Sequence, residues 1–182
     1  MIKYNEFLLL ESFDISSSKP IRLTPTYAKN LMLKYLGTKY TNPNDVITKI
    51  FDSYQDFKMF EYDEENEKYI VFFGKAKGSK YYEIHFNNIK YVDNFLNIHV
   101  LKSSQKLLSF LFSIIYYYGL RNSLNILITS DIKNDRSSLY MKIAEKLINK
   151  YQLHYNVIAN ENSILLEYDT KNTGLLFTER FI

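Results

Sequence analysis

At 182 residues, 46% hydrophobic and 16% aromatic, the chain is long enough for one well-cored domain and too apolar for a disordered one. A net charge of +3, from 23 basic against 20 acidic residues, is too small an excess to mark a nucleic-acid binder. With no cysteine, disulfides and thiolate metal sites are excluded, and three histidines are too few for a histidine-built metal centre.

The longest apolar run, around residues 107–120, carries Ser109, Ser113 and the tyrosines 116–118. It is shorter and more polar than the roughly 20-residue span a bilayer needs. At the start of the chain, Lys3, Asn5 and Glu6 interrupt any secretory signal. The expectation is a soluble single domain, carried in a cytoplasm or a virion, with no membrane and no metal partner.

Residues 1–14 form a short amphipathic unit, with Phe7, Leu8 and Leu10 on one side of a helical turn and Glu6 and Glu11 on another. The start Met1-Ile2-Lys3-Tyr4-Asn5-Glu6-Phe7-Leu8, followed by Leu9-Leu10-Glu11-Ser12, resembles the capsid-targeting leaders on internal head proteins of T-even-type phages. Such a leader is cut after Leu-x-Glu, so the resemblance implies a mature chain that begins at Ser12. Residues 1–15 are accordingly set apart as an N-terminal segment or leader, and residues 16–182 as one domain.

Thr24-Pro25 opens a helix with an N-cap and a first-turn proline, and Gly37 supplies a left-handed stop. Asn42-Pro43 repeats the opening for a second helix, whose apolar face is Val46, Ile47, Ile50, Phe51 and Tyr54. The two helices suit a peripheral layer across a sheet. A meander follows, with strands predicted at 58–62, 68–75 and 80–87. In the third, Tyr82, Ile84 and Phe86 alternate with Tyr81, Glu83 and His85, so one face is buried and the other wetter. Phe95, Leu96, Ile98 and Val100 suggest a further short strand or a bulged continuation leading to the main helix.

Ser103 or Ser104 caps a helix that is apolar nearly all round, runs to about Tyr118 and ends at Gly119. Residues 125–130 read as a central strand. Asp135 caps an amphipathic helix with Leu139, Tyr140, Ile143, Ala144, Leu147 and Ile148 on its apolar face. A hairpin closes the pattern, with strands at 155–159 and 164–168 joined through Asn160-Glu161-Asn162. The tail, ending TGLLFTERFI, is apolar enough to dock.

Two helices, then strand–strand–strand–helix–strand–helix–strand–strand, resembles the GNAT superfamily of N-acetyltransferases over roughly residues 58–168. The most specific piece is Arg136-Ser137-Ser138-Leu139-Tyr140 through Leu147, and it is similar to GNAT-like proteins of tailed phages. The resemblance implies an α+β single domain with a mixed, mostly antiparallel sheet flanked by helices. It also implies acetyl-CoA as cofactor and Tyr140 as the acid that protonates the departing thiolate. Glu83 or His85 is then the base toward an amine.

The cofactor pyrophosphate would lie at the start of the main helix, where the family carries an Arg/Gln-x-x-Gly-x-Gly/Ala loop. Here Val100-Leu101-Lys102-Ser103-Ser104-Gln105-Lys106 has no glycine. Lys102, Ser103, Ser104 and Gln105, with the helix N–H groups and Arg136, remain the candidate cradle. Glycine would let the backbone approach a phosphate more closely.

Each candidate also has a structural reading: Tyr140 as a core tyrosine, Glu83 and His85 as a solvated strand face, Arg136 as balance for Asp131 and Asp135. Tyr116, Tyr117 and Tyr118 read as packing rather than base stacking. Two functions are expected from this sequence. One is a non-catalytic phage protein of acetyltransferase-like fold that binds a phage or host protein, in the virion or the host cytoplasm. The alternative is an acyl-CoA-dependent N-acyltransferase working by direct transfer in a ternary complex.

Overall fold

The computed structural model describes residues 13–15, 19–37, 39–64, 67–88, 105–129, 137–160 and 163–171. Two helices come first, α1 (Pro25–Leu36) and α2 (Pro43–Asp52), then the meander β1 (Tyr54–Glu64), β2 (Glu67–Ala76) and β3 (Tyr82–Asn88). The helix α3 (Gln105–Ile114), strand β4 (Ile126–Thr129), helix α4 (Ser137–Lys150) and hairpin β5 (Tyr155–Asn160) and β6 (Ser163–Tyr168) complete the order. The strands form one six-stranded sheet, β1-β2-β3-β4-β6-β5. Every pairing is antiparallel except β3–β4. The chain is an α+β domain with a mixed, mostly antiparallel sheet, as its pattern predicts.

Opposed residues of an antiparallel pair share a face. Phe60 lies opposite Val71, Val71 opposite Phe86, and Phe73 opposite Ile84, so one face is apolar across β1, β2 and β3. α3 and α4 cover it: Leu107, Leu108 and Phe112 from one helix and Leu139, Ile143 and Leu147 from the other join the main core. The opposite face is covered by α1 and α2, where Ala28, Met32, Leu36 and Ile47 close on Met59, Ile70 and Phe72. Burying one such side chain contributes about 1.5–3 kcal/mol. The expected peripheral layer is therefore a second core, built on β1 and β2.

The helix starts follow their sequence signals. Thr24 Oγ1 accepts from the Tyr27 N–H at 3.3 Å, with Pro25 at the first helical position. The glycines behave differently from expectation. Gly37 has φ −59° and ψ −22°, right-handed rather than left-handed, and its N–H donates to the Leu33 carbonyl. Gly119 does not stop the main helix, because α3 widens into a π turn (Ile115–Gly119) and then a 3₁₀ turn (Leu120–Asn122). Close approach favours a glycine there: a Cβ on Gly119 would sit 2.4 Å from Ile126 Cδ1, so the Ile126 side chain would have to shift. The left-handed position falls instead to Ser123, at φ 56°.

At the N-terminal side, Phe13 and Ile15 are buried in the main core, and Lys146 Nζ donates to the Phe13 carbonyl at 2.8 Å. The expected leader at residues 1–11, the strand suggested within 95–100, the Asp135 cap, the hairpin turn at 161–162 and the tail from 172 lie outside the described residues.

Gly74 lies opposite Phe57 in the β1–β2 pair, close to a register shift between Tyr54 and Asp56. A Cβ there would lie 2.6 Å from Phe57 Cβ and 2.7 Å from the Asp56 carbonyl oxygen. The obstructing atoms belong to or adjoin the backbone, so they cannot rotate aside. Gly74→Ala is expected to cost about 1–3 kcal/mol by overpacking. That corresponds to a fall of roughly 2–12 °C in the melting temperature of a domain this size. An unchanged melting temperature would show that the two strands yield.

Candidate functional site

β3 divides its side chains as the alternation predicts. Tyr82, Ile84 and Phe86 pack on the main core, while Glu83 and His85 share the opposite face. That face is less wet than the sequence suggests. The His85 and Glu83 side chains are only 16% and 26% exposed, and His85 Nε2 lies 3.1 Å from Glu83 Oε2. A carboxylate only accepts, so the ring nitrogen in this contact is the donor. The reason for the burial is aromatic: Phe72 lies opposite His85, and Tyr54 stacks on Phe72 with ring centroids 6.0 Å apart.

Tyr140 stands elsewhere. It is half-buried against the main core, its ring centroid 6.2 Å from that of Phe112 in α3. The expected acid therefore packs on the helix-covered face, and the expected base pair projects from the other. Gln105 opens α3 and is exposed. The other cradle residues, Lys102, Ser103, Ser104 and Arg136, lie outside the described residues. The three tyrosines of the π turn serve packing: Tyr116 meets Tyr151 with centroids 4.3 Å apart, and the Tyr118 hydroxyl donates to the Pro20 carbonyl at 2.7 Å.

Glu83 also marks a fork. The parallel β3–β4 ladder has only two register pairs, Tyr82 with Ile126 and Glu83 with Leu127. Beyond Glu83, β3 continues to Asn88 and β4 to Thr129 with no further pair between them. Backbone N–H and C=O groups there are not satisfied by the neighbouring strand. In sheets with parallel strands, the crevice beyond the carboxyl ends of those strands is where ligands bind.

Two features were not legible in the sequence. One is the part of the Glu83 face that no described helix covers. Leu127 lies opposite Leu165, and Leu165 opposite Ile158, so all three share that face, yet none belongs to either core. The other is a cavity of about 250 Å³ between α1, α2 and β1, with Arg22, Ala28, Phe51, Asp56 and Phe57 among its walls. None of the expected site residues lines it. Its carboxylate is engaged, since Asp56 Oδ2 accepts from Lys58 at 3.2 Å and from the Tyr82 hydroxyl at 3.1 Å.

Among the described residues, no group of three acidic or histidine side chains converges to hold a metal ion, and no helix is long and apolar enough to cross a membrane. Set against known protein families, curated proteins and solved structures, the chain matches none.

Burial, reinforced by the Glu83 carboxylate, pushes the Tyr54 phenol from 10.0 up to about 12. A raised phenol contributes stability that is complete below its unfolded value and is lost as pH rises through the folded one. Loss of stability from this group is therefore expected between about pH 10 and 12. Carbon NMR of ring-labelled tyrosine, assigned with Tyr54→Phe, should place Tyr54 near 12 and show it titrating earlier in Glu83→Gln. An unmoved resonance in Glu83→Gln would remove the carboxylate from the site.

Proposed function

We propose that the chain is a phage protein of acetyltransferase-like fold that acts by binding another phage or host protein, in the virion or the host cytoplasm. The observation that carries this reading is the unequal cover of the sheet. α1 and α2 close one half of the second face, over β1 and β2, and no described helix closes the other half. There Leu127, Leu165 and Ile158 lie with the Glu83–His85 pair and Glu167. A broad face mixing apolar and charged groups suits a protein surface better than the concave, mostly apolar pocket a small ligand needs.

Three further observations support the reading. Val100 to Lys106 lacks the glycines that close approach to a pyrophosphate favours. Glu83 is already engaged by His85, so a carboxylate expected to take a proton from an amine has a competing donor. Phe13, the second residue after the expected cut before Ser12, is buried, so cutting there would leave its core contact in place.

A second reading, acyl transfer from acetyl-CoA to an amine, is favoured by one observation. β3 and β4 part just beyond Glu83, opening the sheet between the face that carries Glu83 and the face where Tyr140 packs. In that reading Glu83 or His85 accepts the amine proton, the amine attacks the thioester carbonyl, and Tyr140 protonates the departing thiolate.

The discriminating experiment is a thiol-release assay with acetyl-CoA and a panel of amines, run on the wild type and on Tyr140→Phe. Binding without catalysis predicts no release above the uncatalysed rate in either protein. Turnover by the wild type that falls about a hundredfold or more in Tyr140→Phe would overturn the proposal and establish acyl transfer.

A further inference from the structure

The two edges of the sheet are finished differently. β1 carries Asp56, Lys58, Glu61, Asp63 and Glu64, has a register shift between Tyr54 and Asp56, and is met by the Leu23 N–H, which donates to the Met59 carbonyl at 2.9 Å. Charges, irregular register and a covering segment are the usual devices that keep an edge from pairing. β5, with the sequence Tyr-Asn-Val-Ile-Ala-Asn, has no charge and no proline. It pairs with β6 in unbroken register, and among the described residues no strand pairs with its other side. Ile158, at its centre, is 41% exposed.

The hydrogen-bond phase of β5 is fixed. The Asp169 N–H donates to the His154 carbonyl at 2.9 Å, which makes Tyr155 and Tyr168 a non-hydrogen-bonded pair. In agreement, the Tyr168 N–H turns away from β5 to donate to Asn125 Oδ1 at 2.8 Å. The alternation then directs the backbone groups of Asn156, Ile158 and Asn160 to β6, and those of Tyr155, Val157 and Ala159 outward.

We propose that β5 pairs antiparallel with β5 of a second copy of this chain, about a twofold axis through Ile158. A second copy is the occupant that fits. An uncharged edge pairs with an uncharged edge without desolvating an ion, and a twofold axis matches the strand to itself. With the axis at Ile158, the outward-facing Val157 and Ala159 exchange hydrogen bonds across the dyad. Asn156 stands opposite Asn160, amide to amide, and Ile158 meets Ile158 of the second copy in a non-hydrogen-bonded pair, burying its exposed side chain. Moving the axis to Val157 would instead set Ile158 against Asn156, apolar against polar. The pairing joins two six-stranded sheets into one and makes the faces bearing Ile158 and Leu165 continuous across the axis.

The chain has no cysteine, so Ile158→Cys introduces a single thiol. At the axis the two thiols would sit on Cα atoms about 4.5 Å apart, within the range of about 4.4–6.8 Å that a disulfide spans. Mild oxidation should convert Ile158→Cys to a covalent dimer and leave Asn160→Cys, whose mate across the axis is Asn156, monomeric on a non-reducing gel. In sedimentation at micromolar concentration, the wild type is expected at twice the chain mass. Ala159→Pro, which removes an outward N–H that β6 does not use, is expected at 21.7 kDa with its circular dichroism unchanged. Ile158→Lys, altering a side chain that is already exposed, should also give the monomer by opposing two like charges at the axis. A wild type that sediments as a monomer, a dimer that survives both substitutions, or cross-linking by Asn160→Cys in place of Ile158→Cys would overturn the proposal.

Discussion

The structure depends on the burial of β2 from both sides. From Tyr69 to Gly74 every position of that strand is buried, and its side chains alternate between two cores. Val71 and Phe73 belong to the core under α3 and α4; Ile70 and Phe72 belong to the core under α1 and α2. Among the described residues, no side chain of α1 or α2 belongs to the first of these cores and none of α3 or α4 to the second, so the strand between them joins two amphipathic layers into one domain. It also requires β1 to lie close on one side, which is why Gly74 has no room for a side chain.

The character of the candidate site follows from where this double cover stops. One step away, β3 packs its Tyr82, Ile84 and Phe86 face, partly buried, on the core under α3 and α4. Its other face keeps Glu83 and His85 half-shielded at the aromatic border made by Tyr54 and Phe72. β4, β6 and β5 extend that face with Leu127, Leu165 and Ile158 and no described helix above them. Charge and apolar surface thus meet where, among the described residues, the cover by α1 and α2 stops. Among the described residues β5 ends the strand order, so alternate backbone groups of it point away from β6.

Much of the fold was legible because local periodicity and local chemistry agreed. The two-residue alternation of β3 separated Tyr82, Ile84 and Phe86 from Glu83 and His85, and Thr24-Pro25 marked a helix start that the Thr24 hydroxyl caps. The misreadings came where tertiary contact overrode local preference. Gly119 reads as a stop, but it is set by the approach of Ile126, and Gly37 ends its helix without leaving right-handed geometry. β1 begins earlier than its pattern shows, because the register shift near Asp56 breaks the alternation at its start. Of the site, Glu83, His85 and Tyr140 were legible as residue types, but their separation onto two faces was not. Nor was the contact of Tyr54 with the Glu83 field, nor the docking of Phe13 beneath Lys146, since each joins residues distant in the chain. The uncharged hairpin strand carrying Ile158 was visible, and its meaning as an edge required the strand order.

The proposed role, an acetyltransferase-like scaffold that binds a protein rather than acetyl-CoA, depends on whether the sheet and its helices hold that cofactor. The most direct test is thermal melting of the full chain with and without acetyl-CoA. If the two melting curves coincide, the claim stands. A ligand present at about a hundred times its dissociation constant would add roughly 2.7 kcal/mol, a rise of about 5–10 °C in a domain of this size. A rise of that order would contradict the claim and return the fork beyond Glu83 to acyl transfer.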